Sequence, residues 1–149
     1  MKTKIVFGIL LLTAIIVLAF KNFQGQAGQE PWTDKQVMEP SELAKILNDP
    51  KAAQPIVYSI GFEGGIKGSI EMGAAKEEVN LQKFKDALSK LPKDANIVIY
   101  CGCCPFEHCP NIRPAFKLLN DMKFTNHKLL NLSHNLKVDW IDKGYPMNN

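Results

Sequence analysis

Three short runs of β-forming residues alternate with amphipathic helical patterns between residues 39 and 132, and this alternation restricts the fold more than any other feature of the chain. Residues 55–60 (PIVYSI), 96–100 (NIVIY) and 128–132 (KLLNL) read as buried strands. Ahead of the first, Glu39-Pro40-Ser41-Glu42 opens a helix carrying Leu43, Ala44, Ile46 and Leu47, and Asn48-Asp49-Pro50 closes it. Between the first two strands, Asn80 is the expected cap of a helix with Leu81, Phe84, Leu88 and Leu91 on one face, ended by Pro92. Before the third, Ile112, Ala115, Phe116 and Leu119 share a helical face. Strands that alternate with helices give an α/β fold with a mainly parallel central sheet covered on both faces. At 149 residues and 46% hydrophobic content there is room for one such domain and one sizeable core. No internal repeat is present.

The N-terminus follows a different pattern. Residues 5–20 are apolar apart from Gly8 and Thr13, with Lys2 and Lys4 before them and Lys21 after. This is the pattern of an export signal. A spanning helix needs roughly 20 apolar residues, so the run is short for an anchor and long for a signal core. Gln24-Gly25-Gln26-Ala27 offers small residues for a cut after Ala27, and cleavage is the expectation, with retention as a signal anchor the alternative. Residues 1–27 are thus expected to be a signal peptide or anchor helix and residues 28–149 the folded domain, outside the cytoplasm (periplasmic or secreted). Membrane contact is expected only through residues 5–20, if they stay. Lys2, Lys4 and Lys21 account for the whole formal charge of +3, which leaves the rest neutral and argues against a nucleic-acid partner.

In open α/β sheets ligands collect at the carboxyl ends of strands. The segment that follows Tyr100 holds every cysteine of the chain, Cys101, Cys103, Cys104 and Cys109, together with Glu107, His108 and, further on, Arg113. Cysteines this close together cannot staple distant elements, so their chemistry is local.

The order of these pieces resembles a rhodanese-like domain. The resemblance rests on Glu39-Pro40-Ser41-Glu42-Leu43, on PIVYSI followed by GGIKGS at 64–69, on IVIY running into Cys101, and on Trp140-Ile141-Asp142-Lys143-Gly144-Tyr145-Pro146, and it spans about Trp32 to Pro146. It implies a single α/β module with sulfurtransferase activity. Cys101, placed directly after a central strand, would carry sulfur as a persulfide, with no cofactor, between a small sulfur-containing substrate and a thiol acceptor. The chain departs from the family at Ser59, Gly61 and Gly65. The loop is also longer than usual: its first arginine is Arg113, and Asn111 occupies the position the family gives to arginine.

From the residues themselves, three readings of the loop 101–113 stand side by side. In the first, Cys101 is the sulfur-accepting thiolate, Cys104 or Cys109 releases or resolves the sulfur, and Arg113 with the helix N-terminus, capped by Asn111, stabilises the anion. Pro105 and Pro110 each remove an amide donor from that cradle. In the second, Cys101 and Cys104 form a C-x2-C redox pair, with Cys109 at the helix start a further low-pKa candidate. In the third, Cys101, Cys103, Cys104, His108 and Cys109 supply ligands for zinc or cuprous copper. Elsewhere, His127 and His134 read as structural or surface residues, Trp32 and Trp140 as packing aromatics, and Glu107 as a solvated carboxylate.

Overall fold

The computed structural model describes residues 30–62 and 65–148; the expected export segment lies outside the described residues. From Pro31 onward the chain forms one compact unit. Five strands, β1 (Val37–Met38), β2 (Ile56–Ser59), β3 (Ile70–Glu71), β4 (Ile97–Tyr100) and β5 (His127–Leu130), make a sheet of order β1-β5-β4-β2-β3. Every pairing is parallel, with Val57 opposite Val98 and Ile99 opposite Leu129. The helices are α1 (Pro40–Asn48), α2 (Glu78–Leu88), α3 (Ile112–Asp121) and the short α4 (Leu136–Asp139). Among the described residues, no helix is long and apolar enough to cross a membrane.

The central strand β4 is buried at all four residues because both its faces are covered. Tyr58, Ile97, Ile99 and Leu129 face one core with Phe84 and Leu88 of α2 and Ile112, Ala115, Phe116 and Leu119 of α3. Their neighbours Val57, Val98, Tyr100 and Leu130 face the other, with Leu43, Ala44 and Leu47 of α1 and Leu136 and Trp140. The apolar faces expected of the first and third helices are the ones buried.

Local differences have local causes. The third strand ends at Leu130, two residues early, because the Leu132 N–H turns back to the Leu130 carbonyl at 2.9 Å. Asn80 does not cap α2. It lies inside the helix, where its Nδ2 donates to the Ala74 carbonyl at 3.1 Å, and Glu77 takes the cap position without a side-chain bond. Strands β1 and β3 and helix α4 have no counterpart among the sequence expectations.

Candidate functional site

Cys101 is the first residue past β4, at the carboxyl end of the sheet, where the chain leaves the ladder and its polar groups turn toward other partners. The loop it starts is fixed by backbone bonds. The Gly102 carbonyl accepts from Leu136 N–H at 2.9 Å, and Phe106 N–H donates to the Leu132 carbonyl at 3.0 Å. A 3₁₀ turn, Phe106–His108, follows, and Cys109 N–H closes it on the Phe106 carbonyl at 3.2 Å.

This framework gathers sulfur. None of the four cysteines is in a disulfide. Cys101 Sγ lies 3.4 Å from Cys103 Sγ, which lies 3.3 Å from Cys104 Sγ. The Sγ atoms of Cys101, Cys103 and Cys109 all fall within 4.8 Å of one another. Cys101 and Cys109 are buried, Cys104 is partly buried and Cys103 is exposed, so Cys103 is the solvent side of the cluster.

The environment charges one sulfur and keeps two neutral. The Cys101 thiol is pulled down to about 5, chiefly by the hydrogen bond from the Cys109 thiol, which outweighs the cost of burial; the Asn111 amide and the Cys103 N–H and thiol add to the pull. Cys103 is pushed up to about 12 by burial and by its contacts with the Cys104 and Cys101 sulfurs. Cys109 is raised because it donates to Cys101 and is buried.

Two contacts to Cys101 come from Asn111, expected as a helix cap, and from Gly61, noted only as a departure from the family pattern. Asn111 does sit at the cap position of α3, but its backbone is helical there and no side-chain capping bond forms. Its amide is used twice elsewhere: Nδ2 donates to Cys101 Sγ at 3.4 Å and Oδ1 accepts from Lys76 N–H at 3.0 Å. Gly61, past the end of β2, lies against the sulfur so closely that a Cβ there would stand 2.5 Å from Cys101 Sγ.

Arg113 extends its guanidinium to the Glu107 carbonyl at 2.7 Å and over the Trp32 ring at 5.6 Å, which ties the loop to the start of α3. The amide that reaches Cys101 is that of Asn111. The expected redox partner Cys104 touches Cys103 and the Cys109 thiol, whereas Cys103 Sγ lies 3.4 Å from Cys101 Sγ; from the sequence, Cys103 is expected only as a metal ligand. Of the five ligands expected for a metal, three converge; the convergent group omits Cys104 and the exposed His108. Glu107 is exposed, as expected of a solvated carboxylate.

A cavity of about 230 Å³ lies beside the loop, lined by Pro105, Phe106, Glu107, Asn131 and Ser133. A wider groove of about 920 Å³ follows α2 past Met72, Val79 and Ala87, and no cysteine lines it. His127 is buried against Phe116 with ring centres 4.7 Å apart, and His134 is exposed beside Asp139. Trp140 is fully buried, with Nε1 donating to the Pro146 carbonyl at 3.0 Å. No known protein family matches this chain, and it is matched by neither a curated protein nor a solved structure.

Proposed function

We propose that this chain is an exported, rhodanese-like sulfur carrier whose Cys101 accepts a sulfane sulfur as a persulfide. The observation that carries the reading is the placement of Cys101: first residue after the central strand, with donors from Asn111, Cys103 and Cys109 aimed at one sulfur. Such donors favour the thiolate that sulfur chemistry requires. The Cys101 thiolate attacks the outer sulfur of a donor persulfide R–S–SH. A new S–S bond forms, the donor S–S bond breaks, and R–S⁻ leaves, so no external oxidant or reductant is consumed. The exposed Cys103 sulfur lies between the buried one and solvent and suits release to a thiol acceptor. The order of motifs from Glu39 to Pro146 and the parallel sheet support the family reading.

The test is intact mass after exposure of the reduced chain to a small persulfide. The wild type is expected to gain about 32 Da, one sulfur, mapped to Cys101, and Cys101→Ser to gain none. Equal loading of Cys101→Ser would overturn the assignment.

A thiol–disulfide reading is favoured by one distance, the 3.4 Å between Cys101 and Cys103 sulfurs, short enough that a disulfide substrate could oxidise this pair with little movement. It predicts a mapped Cys101–Cys103 bond after a mild disulfide oxidant, and no persulfide.

A further inference from the structure

We propose that the Sγ atoms of Cys101, Cys103 and Cys109 form a three-sulfur site for a single cuprous ion. This inference does not rest on the sulfur-transfer reading. Its basis is convergence: three side chains from separate points of one loop bring their sulfurs within 4.8 Å of one another. A metal in the centre of three thiolates at about 2.3 Å sets the sulfurs about 4.0 Å apart. The 3.4 Å between Cys101 and Cys103 therefore has only to open slightly around an ion.

Ligand number selects the metal. Closed structural zinc sites take four protein ligands, and the group here has three. Cys104 meets the Cys103 sulfur at 3.3 Å and the Cys109 thiol, but it is outside the group whose sulfurs all lie within 4.8 Å of one another, so it borders the site without closing on Cys101; His108 is exposed outside it. Soft thiolates with no oxygen or nitrogen ligand among them suit a cuprous ion, which is satisfied by three.

The loop is also prepared for such a guest. Bonds from Leu136 to Gly102, from Phe106 to Leu132 and from Cys109 to Phe106 fix the backbone at points between Cys101 and Cys109, which reduces the ordering left to be done on binding. Two of the three sulfurs are buried and the third faces solvent, which gives the ion a sheltered seat with one open side. Binding displaces the thiol protons, as metal capture by cysteines does.

The experiment is an anaerobic titration of the fully reduced chain with Cu(I) against a chromogenic cuprous chelator, followed by X-ray absorption at the copper edge. One equivalent is expected to be retained, with three sulfurs at about 2.3 Å. Cys103→Ser, at an exposed position that leaves the fold intact by circular dichroism, is expected to weaken retention by more than the roughly 10–100-fold that changing an outer-shell group costs. Cys104→Ser is expected to bind as the wild type does. Failure to compete with the chelator, a shell of two sulfurs, displacement of the bound copper by an equal concentration of zinc, or a loss in Cys104→Ser as large as in Cys103→Ser would each overturn the proposal.

Discussion

Gly61 holds its place because Cys101 needs the room. A methyl group there would stand 2.5 Å from the Cys101 sulfur, which is itself buried. Gly61→Ala is therefore expected to cost about 1–3 kcal/mol in chemical denaturation, as overpacking does. It should also cut sulfur loading at Cys101 in the mass assay. Asn111 joins two parts of the site, and its loss should be felt in both. Asn111→Ala removes the partner of a backbone N–H as well as a donor to sulfur, with an expected cost of about 1–3 kcal/mol. Asn111→Asp keeps the acceptor for Lys76 but places a carboxylate beside the sulfur. Loading should fall in this variant while most of the stability remains. These residues show where sequence reading stops. Cys101 and its position after a strand are legible because a run such as IVIY announces its own end. Gly61 and Asn111 act across 40 and 10 positions of chain, and nothing local in the sequence shows that the amide of Asn111 turns from the helix end to a thiol. The role of Cys103 was hidden because spacing favoured the C-x2-C pair, whereas the actual turn brings Cys103 to Cys101.

The elements that sequence revealed are those long enough to show a period. β2, β4 and β5 carry four residues each and α1, α2 and α3 nine or more, whereas β1 and β3 have two residues and α4 has four. Two residues contain no alternation, so such strands exist only because a neighbour pairs with them. The junction of β5 and α3 carries a prediction of its own. His127 stacks on Phe116, its Nε2 faces the Asn120 Oδ1 at 3.0 Å and the Gln36 Nε2 at 3.2 Å, and burial lowers its pKa below the usual 6.5. The unfolded chain thus binds the proton more readily than the folded one. Stability from this group is complete above the unfolded value and is lost as pH falls through about 6.5 toward the lower folded value. His127→Gln should flatten the stability profile over this range, with a slope difference of at most about 1.4 kcal/mol per pH unit by denaturant titration. Equal slopes for both proteins would show that the ring is protonated without cost.

For the molecule as a whole, the start of the compact unit is stitched to α3 and to the cysteine loop. The Pro31 carbonyl accepts from Asn120 Nδ2 at 2.6 Å, and Trp32 packs on Phe116 and Phe106 with ring centres 5.7 and 6.1 Å apart. A chain beginning at Glu30 keeps both contacts and is the reference. One beginning at Thr33 should lose about 2 kcal/mol, less than the ~3–5 kcal/mol of removing a fully buried tryptophan, because this ring is only partly covered. Phe106 belongs to the cysteine loop, so the same truncation should also raise the rate at which Cys109 is alkylated.

The two outer strands, β1 and β3, are two residues long, and Lys83 Nζ occupies the Glu71 carbonyl on β3 at 2.9 Å. An extended stranger looking for a ladder to join finds almost no rungs at either rim. Such a sheet resists templated fibre growth even where a protein is crowded, and replacing Lys83 with an apolar residue would reopen one rim to it.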